Sequence, residues 1–97
     1  MNHTCPCCGY RTLDEPTGGT YEICEVCDWE DDDIQLAHWD MPGGANKESL
    51  VEAQRAVPTT PVDGYERDPA WRPVDPARDS RSLADHTPYW LRRRDEP

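Results

Sequence analysis

Cys5-Pro6-Cys7-Cys8-Gly9-Tyr10 and Cys24-Glu25-Val26-Cys27-Asp28, with fifteen residues between Cys8 and Cys24, decide how this 97-residue chain is read. Cys5 with Cys8, and Cys24 with Cys27, form two C-x-x-C pairs at the spacing of four-cysteine zinc sites. Two intervening residues let one turn aim both sulfurs at a single ion. Two such turns complete a tetrahedron with Zn–S of about 2.3 Å. Cys5, Cys8, Cys24 and Cys27 are therefore the expected metal ligands, in a structural site with no open position.

The residues around the knuckles suit that geometry. Pro6 fixes its own φ and pre-sets the first turn. Gly9 follows Cys8 where the backbone folds back toward sulfur and a positive φ is needed. Asp28 holds the matching place after Cys27, and Asp tolerates the left-handed region better than most residues. Tyr10 to Leu13 alternates with β-favouring residues, Asp14 to Gly19 reads as a loop, and Thr20 to Ile23 alternates again. The expectation is a hairpin of these two stretches that brings both knuckles to one end.

Beyond the second knuckle, Glu30-Asp31-Asp32-Asp33 lacks the spaced oxygen ligands of a calcium loop. It reads as solvated acid at a helix start. Trp29 and Trp39 are expected in the core of a chain that has no Phe. Met41-Pro42-Gly43-Gly44-Ala45-Asn46-Lys47 does not have phosphate-loop spacing, so its glycines are read as turn residues placing the next helix. Ser49-Leu50-Val51-Glu52 is a capping box. Leu50, Ala53 and Val57 then share one helix face, and Pro58 stops the helix.

The runs Cys5 to Leu13 and Gly19 to Asp32, with Gly43-Gly44-Ala45-Asn46 and Ser49-Leu50, resemble the bacterial cysteine-rich CPCC family. The likeness covers about residues 4–57 and rests on several separated motifs in order. Glu25 stands where the family tolerates Pro, which touches no ligand. The resemblance implies a zinc-ribbon-like domain and no assigned reaction.

Charge narrows the partners. Residues 1–57 carry twelve Asp/Glu against three Lys/Arg, and residues 58–97 carry eight against seven, giving the chain −10. Four thiolates around a dication add negative charge to the first half. A nucleic-acid binder of this size shows a basic face, so no nucleic acid is expected. The acidic surface suits solubility or steering toward a basic protein partner, and an immunity or antitoxin-like role against a basic toxin fits the charge. The first residues carry neither a basic nor an apolar signal region. No apolar run reaches the ~20 residues of a membrane span. Five cysteines are an odd number for a disulfide framework, so a reducing cytoplasm is expected.

Other readings of the cysteines remain open here. Iron in a rubredoxin-like site satisfies the same S4 spacing. A redox dithiol needs a helix N-terminus rather than a hairpin. Cys7, between two ligands, reads as a small packed or outward side chain, or as a reactive thiol open to oxidation. His3 reads as solvated rather than as a substitute ligand, and His3, His38 and His86 have no catalytic context.

Residues 58–97 hold seven of ten prolines and read as an extended tail. Its Tyr65, Trp71, Tyr89 and Trp90 either pin it to the core or anchor a partner. Ser80 to Leu83 reads as a short helix start. Arg92-Arg93-Arg94 is too short and too closely followed by acid to attract nucleic acid. The expected fold is small α+β: a zinc-ribbon or rubredoxin-like hairpin with two knuckles and one short amphipathic helix over residues 1–57, and a proline-rich tail over 58–97. The expected function is a non-enzymatic protein-interaction module, against an electron carrier or a thiol sensor using Cys7. A structural zinc site supplies roughly 10–16 kcal/mol of folding energy, as much as the whole net stability of about 5–15 kcal/mol.

Overall fold

The computed structural model describes residues 2–57, 61–79 and 88–91. Strands β1 (His3–Thr4) and β2 (Arg11–Leu13) pair antiparallel, with His3 opposite Leu13, Thr4 opposite Arg11 and a slip in register between them. The first knuckle is the loop that joins them. Helix α1 spans Asp33–Ala37, helix α2 spans Leu50–Arg55, and Tyr89–Leu91 forms one 3-10 turn. Among the described residues, no helix is long and apolar enough to cross a membrane.

The hairpin differs from the expected one. β2 pairs with β1 and not with Thr20 to Ile23. Tyr21 sits at φ 57°, in the left-handed region, which breaks the extended run. The Tyr21 amide donates to Asp31 O at 3.0 Å, the Asp31 amide donates to Glu22 O at 3.0 Å, and Ile23 pairs with Glu30. Each knuckle is thus closed by its own flanks, so alternation alone named the wrong partner.

The acidic run does start a helix, as the sequence predicts, but two of its carboxylates are not solvated. Asp31 and Asp32 are buried. Asp31 Oδ2 accepts from the Gly18 amide at 2.8 Å and the Thr20 hydroxyl at 2.9 Å, which fixes the glycine loop. Asp32 is the N-cap of α1, its Oδ1 accepting from the Ile34 amide at 2.8 Å. Its Oδ2 accepts from the Ala45 amide at 2.9 Å. Buried Gln35 donates to the carbonyls of Met41, Asn46 and Glu48, and its Oε1 accepts from the Asn46 amide and side chain. Asn46 also bonds both backbone groups of Glu30 at 2.8 Å. A Cβ on Gly44 would stand 2.8 Å from Asp32 Oδ2 and from Gln35 Cδ, so only glycine fits there.

Helix α2 begins as the sequence predicts. Ser49 and Glu52 cap each other's amides, and Leu50 is fully buried. Pro58 as a stop, the Ser80 to Leu83 start, His86 and Arg92 to Arg94 lie outside the described residues.

The later segments lie on the knuckles. The Arg11 amide donates to Glu66 O and the Asp68 amide to Gly9 O, so Tyr10 and Arg67 pair antiparallel. Arg67 stacks its guanidinium 4.6 Å from the Tyr10 ring centroid. The Trp71 indole N–H donates to Pro6 O at 2.9 Å. Gln54 of α2 donates to Pro6 O and to the Tyr89 hydroxyl, and accepts from the Val74 amide. One buried cluster therefore contains Cys5, Cys7, Cys8 and Cys24 together with Trp29, Trp39, Leu50, Val74, Tyr89 and Trp90. Trp29 and Trp39 are core, as the sequence predicts.

Gly9 has φ 80°, and a Cβ there would stand 2.5 Å from Trp71 Cδ2. Gly9→Ala should lower stability by about 2 kcal/mol, from backbone strain and the collision with the indole. On a Trp71→Ala background the same change should cost less, which a thermal-melting double-mutant cycle measures. A second prediction concerns acid. The Thr4 hydroxyl, donating to Asp68 Oδ2 at 2.7 Å, acts with the Ala70 amide and Arg11 to hold the Asp68 carboxyl below its ordinary value, against the upward push of burial. A lowered folded value gives stability above the unfolded carboxylate range that is lost as pH falls through the folded value. Asp68→Asn should melt lower than the parent at neutral pH, with the gap closing below pH of about 4.

Candidate metal centre

The two knuckles are the same turn built twice. In the first, the Gly9 amide donates to Cys5 O and the Cys5 amide to Tyr10 O, each at 2.9 Å. In the second, the Asp28 amide donates to Cys24 O and the Cys24 amide to Trp29 O, each again at 2.9 Å. Gly9 at φ 80° and Asp28 at φ 65° occupy the matching left-handed position. The sequence expectation for these two residues is met, and the identities differ for a reason. Trp71 lies over Gly9 and leaves no room for a side chain, whereas Asp28 is exposed.

The turns bring four sulfurs together. The Sγ atoms of Cys5, Cys8, Cys24 and Cys27 all lie within 4.8 Å of one another. Cys5 Sγ is 3.6 Å from Cys27 Sγ, and Cys8 Sγ is 3.7 Å from Cys24 Sγ. A tetrahedron with metal–sulfur bonds of about 2.3 Å has edges of about 3.8 Å. The cluster fits that figure, and the cysteines are free rather than disulfide-bonded. Four cysteines so placed can hold a metal ion.

Their chemistry points the same way. Contact with the Cys24 sulfur is the main cause that holds Cys5, Cys8 and Cys27 above the ordinary thiol value, and burial adds to it. Cys24 is pushed down, chiefly because Cys27, then Cys5 and Cys8, hydrogen-bond to its sulfur. The Thr12 hydroxyl at 3.1 Å and the Val26 amide at 3.3 Å also donate to Cys24 Sγ. Four crowded thiols cannot all ionise beside one another in a buried place. A dication removes that conflict, and binding it releases the thiol protons.

Cys7 is not among the four. It is 2% exposed, so the reading of an outward thiol is corrected. The two-residue knuckle turns its side chain into the core, where it lines a 350 Å³ groove with Val26, Cys27, Trp29, Asn46 and Ala53. Cys27 is the one half-buried member of the four and also lines this groove. Neither C-x-x-C pair opens a helix, so the environment that activates redox dithiols is not built here. His3 lies in β1.

Sequence reasoning missed the residues that support the centre from outside the knuckles. Thr12 is one, and its signal was only its place beside the metal hairpin. Gln54, Arg67 and Trp71 are others, and Arg67 Nε donates to Cys8 O at 3.2 Å. Tyr65 donates to Glu25 Oε2 at 2.6 Å and ties the same segment to the second knuckle.

Comparison with protein-family models matches residues 3–67 to the family described as cysteine-rich CPCC. The chain belongs to that family. The match runs past α2 into Glu66 and Arg67, which bond to the first knuckle. A search of curated proteins finds no match.

Cys7→Ala should leave the metal content of the purified protein unchanged and cost about 1 kcal/mol of stability as a small core truncation. Cys24→Ser should lose the metal. Metal analysis of both variants beside the parent checks the assignment, and loss of metal from Cys7→Ala would contradict it.

Proposed function

We propose that this member of the cysteine-rich CPCC family is a non-enzymatic protein-interaction module held together by one structural zinc ion on Cys5, Cys8, Cys24 and Cys27. The observation that carries the metal part is the set of four sulfurs within 4.8 Å, at the end of two matching turns. Protein sulfur takes all four corners, which supports a structural ion with no place for water or substrate. Zinc is the commoner occupant of such small ribbons, while iron would share the geometry. A reducing cytoplasm suits a centre built on free thiols.

The interaction part rests on charge. From Thr12 to Asn46 the chain has no Lys or Arg and ten Asp or Glu. A surface of one sign disfavours a phosphate backbone and speeds encounter with a basic protein. A basic toxin countered by an acidic immunity or antitoxin-like protein is one partnership of that kind.

Protein purified without added metal should contain one zinc per chain and be colourless. A strong chelator should unfold it, because metal binding is here folding energy. Bound iron with visible charge-transfer absorption would replace this reading by electron transfer. Full folding in chelator, with no metal found, would refute both.

A further inference from the structure

Three of the four large apolar side chains that stand exposed among the described residues come from one part of the chain: Tyr21 at 52%, Ile23 at 62% and Ile34 at 43%. Backbone pairing brings the segments that carry them close. Residues 21–23 run beside Glu30 and Asp31, and α1 follows at once with Ile34 in its first turn. The Tyr21 hydroxyl lies 3.2 Å from Asp33 Oδ1. Asp33 in first place, with Asp32 and Glu30, pushes the Tyr21 phenol above its ordinary value, in keeping with the Asp33 contact. Scattered single apolar residues on a surface need no explanation, whereas a contiguous group does.

We propose that Tyr21, Ile23 and Ile34, rimmed by Glu30 and Asp33, form the docking face for a basic segment of another protein that carries aliphatic side chains between its Lys or Arg residues. This deepens the interaction reading above and rests on it. An aromatic and two branched aliphatics supply the water-excluding centre of a small interface, and the carboxylates supply its polar rim. Charge selects the occupant. The stretch from Thr12 to Asn46 offers no cation of its own to these carboxylates. A second copy of the chain would bring an equally acidic face, so like charges would oppose self-association here. Tyr21 is exposed, its amide is bonded to Asp31 O and its hydroxyl to Asp33, so the anchor is positioned before any partner arrives.

The test is an amide NMR titration of the metal-loaded full chain with three synthetic peptides of about 15 residues, one of Lys and Leu, one of Lys and Ser, one of Glu and Leu. The Lys/Leu peptide should shift Tyr21, Ile23, Glu30, Asp33 and Ile34, and should weaken as salt rises from about 0.05 M to about 0.5 M. Ile23→Ser combined with Ile34→Ser should weaken that binding about tenfold or more, with zinc content and melting temperature kept as controls of folding. Equal binding of the Lys/Ser peptide, or an unaffected double variant, would overturn the proposed face. Shifts centred elsewhere would overturn the face and leave the interaction reading standing. No shifts with any peptide would count against both. Concentration-dependent shifts of the same residues without peptide would assign the face to a second copy instead.

Discussion

Four sulfurs have to meet at one point, and nearly every other feature of this chain serves that meeting. The chain has no Phe and a mean hydropathy of −0.98, so it has little apolar material with which to gather itself. It builds one turn twice, nineteen residues apart, with the same pair of backbone bonds in each. What differs between the two is what covers them. Trp71 and Arg67 close over the first, which therefore needs glycine at its left-handed position. The second is held from below by Asn46 and keeps an exposed Asp28.

Between the second knuckle and α2, hydrogen bonding does the work that aliphatic packing does in larger domains. Gln35 and Asn46 bond each other, and with Asp32 they satisfy the loop backbone at Ala45, Met41 and Glu48. Removing one partner would leave buried groups unsatisfied at about 1–3 kcal/mol each. Such a network tolerates little change in shape, and Gly44 shows why, since its missing Cβ is the space the Asp32 and Gln35 side chains fill. The Gly-Gly-Ala-Asn stretch is thus a receptor for these side chains and not a ligand loop.

What the sequence disclosed was short in range. The C-x-x-C spacing, the left-handed positions after each knuckle, the Ser49–Glu52 box and the tryptophan core are each settled within a few residues, so they could be read directly. The hairpin partner was not legible, because the pairing of β2 depends on a left-handed Tyr21 that no alternation pattern announces. The acidic run misled because charge suggests water, whereas a carboxylate that accepts several amide bonds is at home in the interior. For Cys7 the sequence left packed and outward open, since spacing excludes it from the ion but does not say which way it turns, and the packed alternative is the one found. The residues that brace the knuckles from beyond α2 were out of reach, because their bonds span forty to sixty-five residues of sequence.

These assignments divide the acidic residues into two groups with different roles. Asp31 and Asp32 face inward and hold loops, so their charge is already engaged by backbone amides. Glu30 and Asp33 remain at the surface beside Tyr21, and nothing basic in that part of the sequence answers them. Of the four sulfurs that could hold a metal, only that of Cys27 belongs to a residue that is not fully buried. The candidate metal ligands thus face inward, while Tyr21, Ile23 and Ile34 stand exposed. The second knuckle acts on that surface at one remove, because the backbone bonds that close it also hold residues 21–23 beside Glu30 and Asp31.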